Sequence, residues 1–238
     1  MKKNIIITGV SRGLGNYLKT NLDKDYNIFG ISKKKRKNVK NNFFMDLSNE
    51  RSVFSYFQNM KKKKIKIHAI VLVAGDRLVK NNEQISKNDF ELMINHNFIS
   101  STNVIENYVK VYKDFAKNSQ IVVISSICGV QDINAPIPFS VSKAALNFYC
   151  KMKSKILAKK YGIRLNVISP GNILQKNNLW DKKIKKNKKN VLKFLDKNVP
   201  LNKFCEPEEI FNIVKLLISE KNKSISGSNF VIDAGQTN

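Results

Sequence analysis

The sequence predicts an α/β fold in which helices cover both faces of one parallel sheet. Seven short apolar runs alternate along the chain with longer segments of helical period, and most of the runs end in Gly, Ser or Asp. Such alternation is typical of strand–helix–strand units, and runs that are apolar at nearly every position predict strands buried on both faces. A length of 238 residues suits a single domain over residues 1–238.

Taken in order, the strand candidates define a doubly wound sheet of the Rossmann type. They are residues 4–9, 27–32, 41–48, 67–75, 120–127, 163–171 and 229–235. Helical patterns fill the gaps between them, so each connection is expected to be a right-handed crossover. A sheet of this kind binds its ligand at the carboxyl ends of the strands.

The composition argues against several classes of protein. The chain carries 43 Lys+Arg against 18 Asp+Glu, a net charge of +25. The lysines are scattered among Asn and Ile without aromatic-interleaved patches, so we expect no specific nucleic-acid partner. The three cysteines lack metal-ligand spacing, and we expect no metal site. Since no stretch approaches the ~18 apolar residues of a spanning helix, we expect a cytoplasmic protein with no membrane partner.

A glycine-rich turn follows the first strand. Residues 8–15, TGVSRGLG, leave that strand and enter the first helix. Gly9 permits a tight turn, Gly13 lets the backbone approach a pyrophosphate, and Gly15 allows close helix packing. The start of the helix adds free N–H groups and the positive end of its dipole. This stretch predicts a dinucleotide site.

The T-G-x-x-x-G-x-G spacing resembles the short-chain dehydrogenase/reductase family, and motifs in the family's order extend the resemblance along nearly the whole chain. Residues 73–75, VAG, resemble its N-A-G element with Val73 in place of Asn, and residues 169–171, SPG, resemble its nicotinamide-side turn. The resemblance implies an NAD(P)(H)-dependent oxidoreductase for a carbonyl/alcohol substrate. It assigns cofactor binding to Gly9, Ser11, Arg12, Gly13, Leu14, Gly15, Ser32, Lys33, Asp46, Leu47, Ala74, Gly75, Lys143, Pro170, Gly171 and Ile173.

The end of the second strand bears on the choice of cofactor. Members of the family that prefer NAD usually carry an acidic residue there to hold the ribose hydroxyls. This chain instead reads Ser32, Lys33, Lys34, Lys35 and Arg36, which would attract a 2′-phosphate. NADP(H) is therefore favoured, and NAD(H) stays an alternative.

The proposed catalytic set has one departure from the family's pattern. Asn97, Ser126 and Lys143 match the family's asparagine, serine and lysine, but both the distance to the lysine and the distance from the serine place Phe139 where the family has its catalytic tyrosine. That phenol exchanges a proton with the substrate oxygen, and losing a positioned general acid typically costs ~10²–10⁴ in rate.

Three explanations of Phe139 stay open. The chain is a non-catalytic dinucleotide-binding protein, a Tyr→Phe form made to trap a complex, or an active enzyme that takes its proton from a water held by Ser126 and Lys143 or from the substrate. The cofactor and catalytic motifs around Phe139 are retained.

The remaining expectations concern substrate and assembly. Residues 175–205 occupy the position of the family's substrate lid; their lysines suit a small anionic carbonyl or alcohol compound, and Trp180 and Leu179 an apolar portion of it. Gln175 stands where the family often has Thr. Helix 140–160 carries an apolar stripe that we expect to pack partly on the sheet: Val141, Ala145, Phe148, Met152 and Ile156. The family resemblance implies a homodimer or homotetramer built on this helix.

Overall fold

Seven strands form one sheet in which every neighbouring pair runs parallel. The computed structural model describes residues 2–33, 42–75, 79, 84–113 and 115–237. The strands are β1 Asn4–Thr8, β2 Asn27–Ser32, β3 Asn42–Phe44, β4 Ile67–Leu72, β5 Gln120–Ile124, β6 Arg164–Pro170 and β7 Asn229–Ile232. Their order across the sheet is β3-β2-β1-β4-β5-β6-β7. All seven predicted strands are confirmed. Strands β2 and β3 follow on one side of β1 and strands β4 to β7 on its other side, so the strand order reverses between β1 and β4.

Within the described residues, eight α-helices connect the strands. They are α1 Gly13–Leu22, α2 Glu50–Lys62, α3 Lys87–Met93, α4 Ser100–Tyr112, α5 Ile137–Tyr161, α6 Leu179–Lys186, α7 Lys188–Asn198 and α8 Pro207–Ile218. A π-helical turn, Ile94–Ile99, joins α3 to α4, and a 3₁₀ turn, Ile127–Gly129, follows β5. Helix α5 starts with Pro138 in its first turn and ends at Gly162 with φ 63°, a left-handed C-terminal position suited to glycine.

Alternate side chains of the strands point to opposite faces of the sheet and pack into two separate cores. On β5, Ile121 and Val123 pack against α2, α4 and α5, whereas Val122 and Ile124 pack against α1 and α8. This two-sided burial explains why the strands are apolar at almost every position. The rigid double-sided sheet fixes the strand ends on which the site is built.

The outer face of α5 differs from the sequence expectation. Val141, Phe148, Met152 and Ile156 are 43%, 66%, 58% and 46% exposed, so the expected packing of this stripe on the sheet is wrong for these four residues. A second set of residues at helical spacing faces the sheet instead: Ser142, Leu146, Cys150, Ser154 and Leu157. Small polar residues break this second stripe, which is why its hydrophobic pattern is weaker in the sequence.

The segment over residues 175–205 has a small core of its own. Trp180 stacks against Phe194 and Phe204 at ring-centroid distances of 4.9 and 5.0 Å, and Lys183 Nζ lies 4.3 Å from its ring centroid. Its indole N–H donates to Asn172 Oδ1 at 3.0 Å. The Trp180 ring therefore holds this segment together. Among the described residues, no helix is both long and apolar enough to cross a membrane.

Candidate functional site

The glycine turn after β1 has the geometry that a phosphate group needs. Gly9 and Gly13 have φ values of +71° and +56°, and a Cβ on Gly15 would lie 2.3 Å from the Gly9 carbonyl oxygen. Side chains at these positions would strain the backbone or push α1 away. The turn, with Ser11, Arg12 and Leu14 between the glycines, delivers the N-terminus of α1 to the carboxyl edge of the sheet. Its backbone amides are the donors that a pyrophosphate would take.

A hydrogen-bonded link joins this turn to the end of β4. The Thr8 hydroxyl oxygen accepts from the backbone N–H groups of Val73 and Ala74, both at 3.0 Å. A Cβ on Gly75, the next residue, would lie 2.6 Å from Asn97 Oδ1 and 3.4 Å from Lys143 Nζ. Gly75 therefore packs directly against Asn97, and a side chain at this position would collide with it.

The ends of β2 and β3 lie side by side at the edge of the sheet where the adenosine of the cofactor is predicted. Ser32 is buried, and Lys33 Nζ forms an ion pair with Asp46 Oδ2 at 2.6 Å. Desolvation raises the pKa of Asp46, but hydrogen bonds from Lys33 and Ser48 outweigh it and lower the pKa to about 2. Leu47 packs into the core beside this pair. The predicted cofactor contacts at Lys34, Lys35 and Arg36 lie outside the described residues.

Asn97 is held by the π-helical turn at the centre of the protein. Its side chain is fully buried, and its amide donates to Ser142 Oγ at 3.0 Å. Ser142 in turn donates to the Phe139 carbonyl oxygen at 2.7 Å. A π-turn inserts one extra residue into a helix and is frequent at functional sites. It ties Asn97 to the first turn of α5.

Lys143 lies deep in the same site. It is 6% exposed, its ammonium donates to the Ile124 carbonyl oxygen at 3.4 Å, and it lies 5.9 Å from the Phe139 ring centroid. A Cβ on Gly129 would come within 2.6 Å of the Lys143 backbone, so only glycine lets the loop after β5 pack here. Lysine is rarely buried without a partner or a task.

Ser126 ends the loop after β5 and begins its 3₁₀ turn. Its hydroxyl oxygen accepts from the Cys128 backbone N–H at 3.4 Å and from the Cys128 thiol at 3.2 Å. Ser126 is partly exposed, whereas Cys128 is only 5% exposed. Burial raises the pKa of the Cys128 thiol, opposed by hydrogen bonds to Ser126 and Ser140 and by the charge of Lys143.

The turn after β6 is the predicted nicotinamide-side turn. Pro170 is the last residue of β6, and a Cβ on Gly171 would lie 2.9 Å from the Asp233 backbone. Ile173 pairs with Cys205 in an isolated bridge. The Gln175 side chain crosses to the glycine turn, where its Oε1 would lie 3.6 Å from a Cβ on Gly13. The segment over 175–205 thus begins against the phosphate turn.

These groups fit a dinucleotide. The glycine cradle and free helix N-terminus suit a pyrophosphate, the Lys33–Asp46 side suits an adenosine, and the buried lysine beside the side-chain-free Gly75 suits a ribose at the other end.

Comparison with known proteins gives the family. A family model described as enoyl-(acyl carrier protein) reductase matches residues 22–237 of the chain. The chain belongs to the short-chain dehydrogenase/reductase family. The predicted membership is confirmed, and with it an NAD(P)-dependent oxidoreductase ancestry.

Two known proteins are similar to this short-chain dehydrogenase/reductase. It is 28% identical to the 3-oxoacyl-[acyl-carrier-protein] reductase FabG of Buchnera aphidicola subsp. Schizaphis graminum, over 98% of this chain and 97% of that protein. It is 25% identical to ElxO with NADP bound, with a TM-score of 0.88 over 99% of each chain. A tyrosine-to-phenylalanine variant of ElxO with NADPH bound gives a TM-score of 0.87 at the same identity.

Two side chains of this short-chain dehydrogenase/reductase site were missed by sequence reasoning. The sequence shows only that Cys128 has no metal-ligand spacing. Cys128 lies two residues after Ser126, and the 3₁₀ turn brings these two side chains into contact. Ser142 was not linked to Asn97, because the two are 45 residues apart and meet only through the packing of α5 on the π-turn. The first had a local signal in the sequence; the second had none.

Proposed function

We propose that the chain is an NADP(H)-dependent oxidoreductase that interconverts a carbonyl and an alcohol, with its proton transfer slowed by Phe139. The observation that carries the proposal is the buried pair of Asn97 and Lys143, whose polar side-chain atoms both lie against Gly75. An apolar core gains nothing from a buried lysine and amide, because each must be compensated by hydrogen bonds. Their retention supports a role in the reaction.

Each side chain of the site has a distinct task in this proposal. Lys143 holds the ribose next to the nicotinamide, and Ser126 positions the substrate oxygen by donating its hydroxyl proton to it. Asn97 fixes the start of α5 through Ser142. When bound, the reduced cofactor supplies the hydride that the carbonyl carbon takes. Phe139 shields the site from water but has no proton to give.

The preference for NADP(H) rests on the β2 end. Lys33 supplies a positive charge, and Ser32 leaves no carboxylate at the position where NAD-selective proteins usually have one. ElxO with NADP bound and its NADPH-bound variant support this choice, whereas 4-hydroxyisoleucine dehydrogenase complexed with NADH supports NAD(H) as the alternative. The ion pair with Asp46 partly neutralises the positive charge of Lys33.

The substrate that we propose is an anionic carbonyl compound. The surface of α6 and α7, within the predicted lid, carries exposed lysines: Lys182, Lys183, Lys185, Lys186, Lys188 and Lys189. The name of the Buchnera relative supports a 3-oxoacyl thioester as the class to try first. Leu179, which is 47% exposed, is the apolar contact available on α6 because Trp180 is engaged within the segment. Residues 175–205 would act as the substrate lid of a single domain.

A second candidate is a dinucleotide-binding protein without turnover. Phe139 is the observation that favours it, because the ring in the first turn of α5 cannot exchange a proton. Both candidates predict cofactor binding. They differ in hydride transfer after the hydroxyl is restored.

We also propose that two copies pair through α5. Its outer face presents Phe148 at 66% and Met152 at 58% exposure, with Ala144 between them and the start of the helix. A contiguous exposed apolar stripe of this kind marks an interface, and a small residue in it allows close helix approach.

The test compares the Phe139 protein with its Phe139→Tyr variant. NADPH oxidation is followed with acetoacetyl-CoA, a 3-oxoacyl thioester, and with a nucleotide-sugar ketone, while calorimetry measures NADPH binding. The proposal expects tight binding in both and a gain of about 10²-fold or more in the variant. Binding without turnover in either protein would favour the second candidate.

A further inference from the structure

The hydroxyl of Ser126 accepts a hydrogen bond from a group that can itself release a proton, the Cys128 thiol. The Cys128 thiol donates to Ser126 Oγ at 3.2 Å, so the serine oxygen accepts from sulfur while its own proton stays available to the cleft. The 3₁₀ turn fixes this contact, because the Cys128 backbone N–H also points at the same oxygen. Oxygen and sulfur thus form a two-step chain that begins at the partly exposed serine and ends in the interior.

A thiol has the acidity that this site lacks. An ordinary thiol titrates near ~8.5 and an ordinary phenol near ~10; burial raises the pKa of the Cys128 thiol, so Cys128 is a weaker acid than an unperturbed cysteine. A free serine hydroxyl is a much poorer acid than either group. The serine alone therefore cannot replace the phenol, whereas a serine recharged by a thiol recovers part of the proton transfer that the phenol would supply.

We propose that Cys128 is the proton source of this site and acts through Ser126. This inference rests on the proposed oxidoreductase function. As the carbonyl carbon takes a hydride, the electron pair of the C=O π bond moves to oxygen, which takes the Ser126 hydroxyl proton. Ser126 Oγ then takes the Cys128 S–H proton, and sulfur keeps the bonding pair as a thiolate. Solvent reprotonates the thiolate before the next turnover. Cys128 is a relay residue, since it reaches the substrate only through Ser126.

The surroundings of the sulfur suit both of its protonation states. Burial favours the neutral thiol, so the proton is in place at neutral pH. Lys143 is the charged group that acts on the thiol, and it would stabilise the thiolate left after transfer. From α5, Ser140 also acts to lower the pKa of the thiol.

The relay predicts a distinctive pH dependence. A general acid works only while it is protonated, so the rate of carbonyl reduction should hold at neutral pH and fall as pH rises through the thiol pKa. Replacing Cys128 by Ser keeps a hydrogen bond to Ser126 but removes the acid. A purely structural role would therefore survive this change, and the relay would not.

The experiment measures NADPH oxidation with acetoacetyl-CoA for Cys128→Ser and Cys128→Ala in two backgrounds, the Phe139 protein and Phe139→Tyr. In the Phe139 protein, we expect both substitutions to lower kcat by about 10²-fold without changing NADPH affinity and to abolish the alkaline fall of the rate. With Phe139→Tyr, the phenol supplies the proton, and either cysteine substitution should change kcat by less than about threefold. Activity of the double variants also shows that they fold. Cys150→Ser, which removes another buried thiol on α5, is the matched control.

The outcomes separate the relay from the function on which it rests. An unchanged rate for Cys128→Ser in the Phe139 protein, or an equal loss in both backgrounds, overturns the relay. Turnover by Phe139→Tyr with none by the Phe139 protein also overturns it and leaves the oxidoreductase standing. Absence of turnover in both backgrounds despite NADPH binding overturns the proposed function and the relay together.

Discussion

The ion pair between Lys33 and Asp46 makes the choice between NADPH and NADH measurable. The two side chains lie 2.6 Å apart and are 60% and 39% exposed. An exposed pair is worth about 0.2–1 kcal/mol, so Asp46→Asn should free Lys33 and improve the preference for NADPH by roughly 1.4- to 5-fold. Lys33→Met removes a charge-assisted contact worth about 1.5 kcal/mol at an exposed site and should reduce the preference by about 10-fold.

The assay is the ratio of the NADH and NADPH dissociation constants, measured by cofactor fluorescence. Both cofactors carry the same adenine, so the ratio cancels any adenine contact that Asp46 makes. Lys87→Met, which removes an exposed lysine on α3, is the matched control and should leave the ratio unchanged. The reasoning fails if Lys33→Met leaves the ratio where it was or if Asp46→Asn lowers it.

Three further predictions follow from packing and charge. Gly15→Ala places a Cβ 2.3 Å from the Gly9 carbonyl oxygen, so the free energy of unfolding in urea should fall by about 1–3 kcal/mol. Calorimetry should also show weaker NADPH binding. Asn16→Ala, at an exposed position of the same helix, should change neither the stability nor the NADPH affinity. Phe148→Asp should give monomers in sedimentation experiments with a stability change within about 0.5 kcal/mol, and an unchanged sedimentation coefficient would contradict the α5 interface. Burial lowers the pKa of His68, so the unfolded chain binds its proton more tightly; the free energy of unfolding should fall from pH 7.5 to 5.5, and fall less in His68→Asn.

The sheet could be predicted because two-sided burial makes each strand apolar throughout. A short apolar run between turn residues, such as residues 120–127, is too short for a typical helix and therefore predicts a strand. Helix α5 was harder, because it carries two stripes at helical spacing. The more apolar one, which includes Phe148 and Met152, faces outward, and the one that contacts the sheet includes Ser142 and Ser154. Hydrophobicity alone therefore ranks these two stripes in the wrong order for contact with the sheet.

The site could be predicted where its residues follow strand ends. Parallel strands bring Gly9, Gly75 and Ser126 to one edge, so their order in the sequence is enough to place them together. The contacts that orient them were out of reach. The link from Asn97 to Ser142 depends on a π-helical turn, and the ion pair of Lys33 with Asp46 depends on how β2 meets β3. Local patterns do not specify such pairings.

The most direct test of the account is the rate of a single turnover. Enzyme in excess is loaded with NADPH and mixed with acetoacetyl-CoA in a stopped-flow instrument, and the loss of NADPH absorbance is recorded for the Phe139 protein and for Phe139→Tyr. If the site is an oxidoreductase that lacks only its phenol, the variant should oxidise NADPH about 10²–10⁴ times faster, a difference of roughly 3–5 kcal/mol in barrier. Equal and negligible rates with NADPH bound in both proteins would contradict the account.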